Sequence, residues 1–300
     1  MAWRTISIEN PGHLSLKDNR LQIAQEQTVA LPLEDIDTLI VDEPSVTLTA
    51  KILLGLAQFG VNVILCNERH LPAALILPYS QASRGSKYAR AQIATSSPLK
   101  KQLWRKNIIQ KINNQADVLA ALAHTEVSKQ LQALARTVRS GDVDNNESVA
   151  ASLYFNTLLG DATRRQPLWF NSALNYAYAI VRGSLARALA GRGLICELGI
   201  HHHSELNQYN LADDLIEAFR PLVDYYVVRQ VAPHHLGDEY DSTLTKEDRH
   251  LLLDILNQYA TILDKRYSIK HLTEKVAESL VGAFLDDNPD TLILPALDKG

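Results

Sequence analysis

Apolar residues alternate along the first 78 positions and recur at helical spacing along almost everything after position 86, so one chain carries two side-chain periods. A period of two buries one face of a strand, whereas a period of 3.6 buries one stripe of a helix, and neither element satisfies the other pattern. The expected fold is therefore α+β: a β-rich domain over 1–78, a linker over 79–86, a larger all-α domain over 87–285 and a tail over 286–300.

In the first domain, Trp3 to Ile8 reads as a strand, and Leu14 with Leu16 and Leu21 with Ile23 form a hairpin around the turn residues Asp18 and Asn19. Leu39 to Val41 is a short buried strand. Ile52, Leu53, Leu56 and Phe59 mark a helix that Gly60 ends, and Val61 to Cys66 returns to strand. This order implies one crossover within a small mixed sheet, with Leu75 to Leu77 as a further strand before Pro78. The segment YSQASRGS over 79–86 has linker composition. Helices are expected near 87–114, 115–139, 147–159, 169–190, 210–229 and 246–264, with a polar loop from Ser140 to Asn146. The two prolines of the tail leave open whether it stays disordered or docks through Leu292 to Leu294.

Composition excludes some classes. The longest apolar runs, such as Leu71 to Pro78, fall far short of the roughly 20 residues of a membrane helix, and the start lacks a basic, apolar leader, so a cytoplasmic protein without membrane contact is expected. Cys66 and Cys196 lie 130 residues apart with no zinc-finger spacing, which predicts free buried thiols. The total charge of -4 argues against nucleic acid, but its distribution does not. Between Glu68 and Asp117 no acidic residue occurs, while Arg69, Arg84, Lys87, Arg90, Lys100, Lys101, Arg105, Lys106 and Lys111 supply nine positive charges. The rest of the chain then carries -13. A basic stretch interleaved with Tyr88 and Trp104 suits phosphate neutralisation and stacking on an unpaired base, and Arg84, Lys87, Lys100, Lys101, Arg105 and Lys106 are the expected DNA contacts. The plain alternative is that these Lys and Arg residues solvate a helix face or pair with acidic residues elsewhere.

The segment from Gly199 to Asp224 is the richest in possible metal ligands. Three histidines, His201, His202 and His203, precede a helix carrying Asp213, Asp214 and Glu217. Leu211, Leu215, Phe219 and Leu222 mark the buried stripe, and Asp214 and Glu217 share one flank of it at i and i+3. Two carboxylates held that close favour either a raised pKa in one of them or a cation between them, for which hard oxygen ligands suit Mg²⁺ or Mn²⁺. An added imidazole shifts the preference toward Mn²⁺. The alternative is structural: acidic residues in the first turns of a helix complement its macrodipole, and Glu147 equally fits a first turn capped by Asn145 or Asn146. His234 and His235 fall in a loop and His124 on a helix without matching acidic residues, which makes them weak candidates.

The chain resembles the CRISPR-associated integrases that insert new spacers into CRISPR arrays, in the form found with type II systems. The resemblance rests on MAWRTISIENPGHLSLKDNRLQI at 1–23, NESVAASLYFNTLLG at 146–160, NSALNYAYAIVRG at 171–183 and HHHSELNQYNLADDLIEAFRPLVD at 201–224. It implies a dimerising N-terminal β domain, a helical metal-binding domain, and Glu147, His202 and Glu217 as catalytic metal ligands with Asp214 in support. The register among His201, His202 and His203 is locally ambiguous; an ungapped match through Asn207, Asn210, Asp214 and Glu217 favours His202. Ala218 stands where some relatives have proline, which removes no ligand.

The resemblance further implies that a DNA 3′-hydroxyl attacks a phosphodiester at the repeat end, with cleavage of branched or single-stranded DNA as the hydrolytic counterpart. Double-stranded and branched DNA, a homodimer, and a small second integration subunit completing a heterohexamer are the implied partners, with other type II CRISPR proteins beside them. Two rivals are a non-catalytic dimeric DNA-binding scaffold and a metal-dependent phosphohydrolase of small nucleotides, which would gain nothing from the basic stretch over 69–111.

Overall fold

The alternating segment folds as two four-stranded sheets. The computed structural model describes residues 4–68, 72–76, 84–160, 162–238 and 240–298, and the chain divides into the units Met1–Ser83 and Arg84–Gly300. In the first unit, β1 (Arg4–Ile8), β5 (Ile36–Val41), β7 (Asn62–Cys66) and β8 (Pro72–Ile76) form one sheet in that order. The β1–β5 and β5–β7 pairs are parallel, and β8 closes the edge antiparallel to β7. The second sheet has the order β4 (Thr28–Pro32), β3 (Arg20–Ala24), β2 (His13–Lys17), β6 (Thr47–Leu48).

The hairpin β2–β3 turns through Asp18 and Asn19, both left-handed at φ 51° and 55°, the pairing that a two-residue type I′ turn demands. The crossover from β5 to β7 runs through α1 (Ala50–Gln58), where the Thr49 side chain caps the first turn by accepting from Ile52 N at 3.3 Å. Gly60 follows the helix at φ 70°, a conformation open to glycine without strain. Leu14, Leu21, Leu33, Ile36, Leu39, Ile52 and Leu56 make the core of this unit. The expectation of one small sheet was too simple. Thr28–Pro32 is a strand whose Val29 is exposed, so its pattern carries no alternation, and Thr47–Leu48 is too short to register. Trp3, Arg69, Leu77, Pro78 and positions 79–83 of the expected linker lie outside the described residues.

The second unit contains α2 (Gly85–Ala94), α3 (Ser97–Ala121), α4 (Thr125–Thr137), α5 (Asn146–Leu159), α6 (Trp169–Gly191), α7 (Asn210–Ile216), α8 (Arg220–Tyr226), α9 (Lys246–Leu253) and α10 (Ile269–Asp286). A hairpin of β9 (Tyr259–Ile262) and β10 (Lys265–Ser268) stands between the last two helices. The first helical stretch is divided elsewhere than expected. Ser96 caps α3 by accepting from Leu99 N at 3.3 Å, and α3 runs past 114 to a break where Ala123 takes φ 68°. His124 is the residue before α4 rather than a member of a helix. The 210–229 stretch is interrupted at Glu217 to Phe219, and a π-helical turn, Val227–Val231, follows α8. The 246–264 helix ends at Leu253, because the β-rich run that follows pairs as the hairpin, and α10 was not anticipated.

Helix α6 is buried on nearly all sides, through Leu174, Ala177, Ile180, Val181, Leu185 and Leu189, and so forms the centre of the helical unit. The tail docks: Leu292 is fully buried, Ala296 exchanges backbone hydrogen bonds with Thr261 at 2.9 and 2.8 Å, and Lys106 Nζ donates to the carbonyls of Pro289 and Asp290. Both cysteines are buried, as expected, and burial pushes the Cys196 thiol up to about 12. Among the described residues no helix is long and apolar enough to cross a membrane.

Candidate functional site

One face of α3 organises the site. Asn107, Lys111 and Asn114 stand at i, i+4 and i+7 and meet the segment from Asp214 to Ala218. Asn107 Nδ2 donates to the carbonyl of Asp214, and Asn114 Nδ2 donates to those of Ala218 at 2.7 Å and Pro295 at 2.9 Å. Between these two anchors, Lys111 Nζ donates to Glu147 Oε1 at 2.6 Å and to Glu217 Oε2.

Each carboxylate arrives on a constrained piece of backbone. Glu147 lies in the first turn of α5, and that turn is capped by Asp142, whose two oxygens accept from the amides of Asn146 and Glu147 at 2.9 Å each. Neither Asn145 nor Asn146 supplies the cap, because Asn145 sits in the left-handed region with no side-chain bond to the helix. Glu217 occupies the turn between α7 and α8, nearly buried, and receives Arg220 Nε on Oε1 at 2.7 Å. Burial alone would raise the Glu217 carboxyl; Lys111 and Arg220 outweigh that and hold it well below the usual range. Burial likewise opposes the Lys111 ammonium, and Glu217 with Glu147 more than restores it, leaving it above an ordinary lysine. Arg220 also lies 4.6 Å over the Tyr178 ring, whose hydroxyl donates to the buried Asp224.

The three histidines have three different environments. His202 Nδ1 lies 2.7 Å from Asp214 Oδ1, which also accepts from the His202 amide at 2.9 Å. The other Asp214 oxygen accepts from the amides of Ile200 and His201. A fully buried carboxylate thus shapes the turn that presents His202, and it leaves Nε2 as the ring nitrogen available to a ligand. The bond to Asp214 raises the His202 imidazole against the opposing effect of its burial. The turn also needs Gly199, where a Cβ would stand 2.1 Å from the His202 carbonyl oxygen and 2.7 Å from Asp214 Oδ2. His201 stacks on Trp104 with ring centroids 4.1 Å apart and planes 3° from parallel, and burial lowers its pKa. His203 is exposed, with Nδ1 2.6 Å from the carbonyl of His201.

The donor set, two carboxylates and an imidazole, suits a hard divalent cation in kind, and Lys111 shows that the interval between the carboxylates takes positive charge. As the side chains stand, no three His, Cys, Asp or Glu among the described residues are grouped closely enough to hold a metal. Lys111 is where the two carboxylates meet.

The basic stretch is less uniform than its sequence. Arg84, Lys87 and Lys101 are exposed and Lys100 is half-buried. Arg105 Nε donates to the Val138 carbonyl at 2.8 Å, and Lys106 binds the tail. Trp104 is buried against His201, so its expected stacking on a base is replaced by a ring of the chain itself. Lys111 is buried rather than on a solvated face. Sequence reasoning missed Lys111, Arg220 and Asp142 as parts of the site. The available signal was Asn, Lys and Asn at 107, 111 and 114 beside the apolar Ile108 and Ile112, polar residues on the apolar stripe of a helix.

The family described as CRISPR-associated protein Cas1 matches residues 6–258. A CRISPR-associated endonuclease Cas1 of Neisseria meningitidis serogroup C (strain 8013) is 39% identical over 299 residues, covering 99% of this chain and 97% of its own. Among solved structures, a casposase bound to integration product superimposes with a TM-score of 0.78 at 17% identity, over 96% of this chain and 92% of its own. A Cas6-RT-Cas1–Cas2 complex gives 0.74 at 17% identity, over 99% of this chain and 36% of that longer one. At these identities the two structures speak for the fold.

Proposed function

This chain belongs to the Cas1 family of CRISPR-associated proteins, and we propose that it is a metal-dependent DNA integrase that inserts captured fragments as new spacers into a CRISPR array. The observation that carries this reading is the convergence of Glu147 and Glu217, from separate elements, on one buried positive charge, with Glu217 three residues after the Asp214 that holds His202. An anionic substrate needs such an arrangement, since carboxylates approach a phosphodiester only when a cation stands between them.

The reaction is a transesterification. A DNA 3′-oxygen bonds to the repeat-end phosphorus as the bond to the leaving 3′-oxygen breaks, so the number of phosphodiester bonds is unchanged. Mg²⁺ or Mn²⁺ held by Glu147, His202 and Glu217 would polarise the scissile phosphate and offset charge developing on it. Asp214 fixes the His202 ring, Arg220 fixes one oxygen of Glu217, and the exposed cations Arg84, Lys87 and Lys101, with Lys100, face the DNA backbone. Water in place of the 3′-hydroxyl gives endonuclease activity on branched or single-stranded DNA. The Neisseria relative's description as an endonuclease supports that side of the chemistry, and the casposase fold supports the integrase side.

Insertion at both ends of a repeat needs two sites at fixed separation, which a homodimer, or two homodimers bridged by a second small subunit, supplies. The Cas1–Cas2 complex among the solved structures supports a Cas2 protein in that role, and a heterohexamer is the form this reading requires. The test is strand transfer of a short duplex into a supercoiled repeat-bearing plasmid, with Mn²⁺ and the partner subunit. The wild type is expected to be active and His202→Ala with Glu217→Ala inactive; full strand transfer by that double variant would overturn the metal-site reading, and no strand transfer by the wild type in any condition would leave the scaffold reading in its place.

A further inference from the structure

Lys111 has no role in the chemistry set out above, yet its ammonium is where the proposed metal ligands come together. Glu217 has one oxygen on Arg220 and the other on Lys111, and Lys111 also takes an oxygen of Glu147. The Lys111 side chain is 9% exposed and Glu217 8%. Two carboxylates, one lysine and one arginine form a group of zero net formal charge. A divalent cation approaching it meets no net attraction from the four, and it finds both oxygens of Glu217 already bonded.

We propose that Lys111 is the resident counter-cation of the carboxylate pair: it holds Glu147 and Glu217 together in the metal-free protein and competes with the divalent cation for the interval between them. The proposal rests on the metal-site reading of Glu147, His202 and Glu217. The helix beneath Lys111 is pinned, because Asn107 and Asn114 on either side of it are bonded to the carbonyls of Asp214 and Ala218. Exchange therefore takes place through the lysine side chain, whose four-carbon stem carries a compact charge able to swing away, unlike the planar fork of arginine. Arg220, stacked over Tyr178, stays with Glu217 throughout. Once Lys111 has withdrawn, the remaining pair with Arg220 carries a net formal charge of -1, and it attracts a dication.

The test measures Mn²⁺ binding to metal-free protein by titration calorimetry, together with melting temperature, for wild type, Lys111→Met and Lys111→Gln. Both variants are expected to bind Mn²⁺ at least ten-fold more tightly than the wild type. Both should melt several degrees lower without metal and recover more on adding it. Variants that fold only when Mn²⁺ is present also support the proposal, since the metal then replaces the ammonium. Equal or weaker Mn²⁺ binding by the variants overturns the role of Lys111 while leaving the metal site intact, as does failure of both to fold even with Mn²⁺. No Mn²⁺ binding by wild type or variants, with strand transfer independent of metal, overturns the metal-site reading itself.

Discussion

Asp214 grips His202 twice, accepting from its backbone amide at 2.9 Å and lying 2.7 Å from its ring Nδ1. One buried carboxylate therefore sets both the turn and the rotation of the ring. Replacing Asp214 with Asn keeps the size but puts an amide nitrogen where an acceptor oxygen is needed, either toward His202 or toward the amides of Ile200 and His201. Supporting groups of this kind are worth about 10- to 100-fold in metal affinity or activity. Asp214→Asn is expected to lower Mn²⁺ affinity by that factor, read by calorimetry; unchanged affinity would remove Asp214 from the support of the site.

The three histidines separate by environment, so single alanine variants should separate by effect. His202→Ala is expected to abolish strand transfer, His203→Ala to leave it within about two-fold of the wild type because its ring meets a backbone carbonyl rather than Asp214 or Trp104, and His201→Ala to fall between, through loss of the Trp104 stack. Plasmid integration assays rank the three. Loss of activity in His203→Ala with retention in His202→Ala would shift the register by one residue.

Trp104 is buried and stacked on His201, so its removal is felt first in folding. Trp104→Ala is expected to cost ~3–5 kcal/mol in chemical denaturation, the usual range for a buried tryptophan, and Trp104→Phe markedly less. A tryptophan whose part was to stack on DNA would instead show nearly unchanged stability in both variants and weakened DNA binding.

Asp224 is wholly buried, accepts from the Tyr178 hydroxyl, and has its carboxyl pushed by burial up to about 6. The folded state then holds the proton more tightly than the unfolded one, so this group's contribution to stability falls as pH rises from about 4 through 6. Asp224→Asn keeps an oxygen acceptor and removes the titration. Its stability relative to wild type is expected to improve by ~2 kcal/mol between pH 4 and pH 7. A constant offset between the two proteins across that interval would refute the burial argument.

The tail is anchored by Leu292, fully buried, and by the paired backbone of Ala296 and Thr261. Leu292→Ala is expected to cost ~2–5 kcal/mol, the range for truncating a buried leucine. Thermal melts of the whole chain check this, and a loss below about 0.5 kcal/mol, typical of surface positions, would show that the tail contributes nothing to the fold.

Local periodicity was enough to read the strand-rich first unit and the helical second one, because burial of one face imposes a period of two or 3.6 on any sequence that folds. It was enough for the hairpin at Asp18 and Asn19 and for the helix that precedes Gly60, where turn and cap chemistry act over a few residues. It failed where a segment's state depends on distant neighbours. Tyr259 to Asp264 reads as the end of a helix until it is seen paired with Lys265–Ser268 and bridged to Ala296, and Thr28–Pro32 is a strand only because β3 lies beside it.

The candidate site divides in the same way. The sequence by itself drew attention to the histidine run at 201–203 and to Asp214 and Glu217 on the helix after it, and the family resemblance singled out Glu147 and His202. Only the tertiary structure decided what each one touches. Lys111 lies 36 residues before Glu147 and 106 before Glu217, and its flanking Asn107 and Asn114 mark it as unusual among the cations of the basic stretch without saying which acidic groups it meets. Coulomb interaction acts through space and burial strengthens it, so which lysine meets the carboxylates is settled by how α3 packs against the turn after α7.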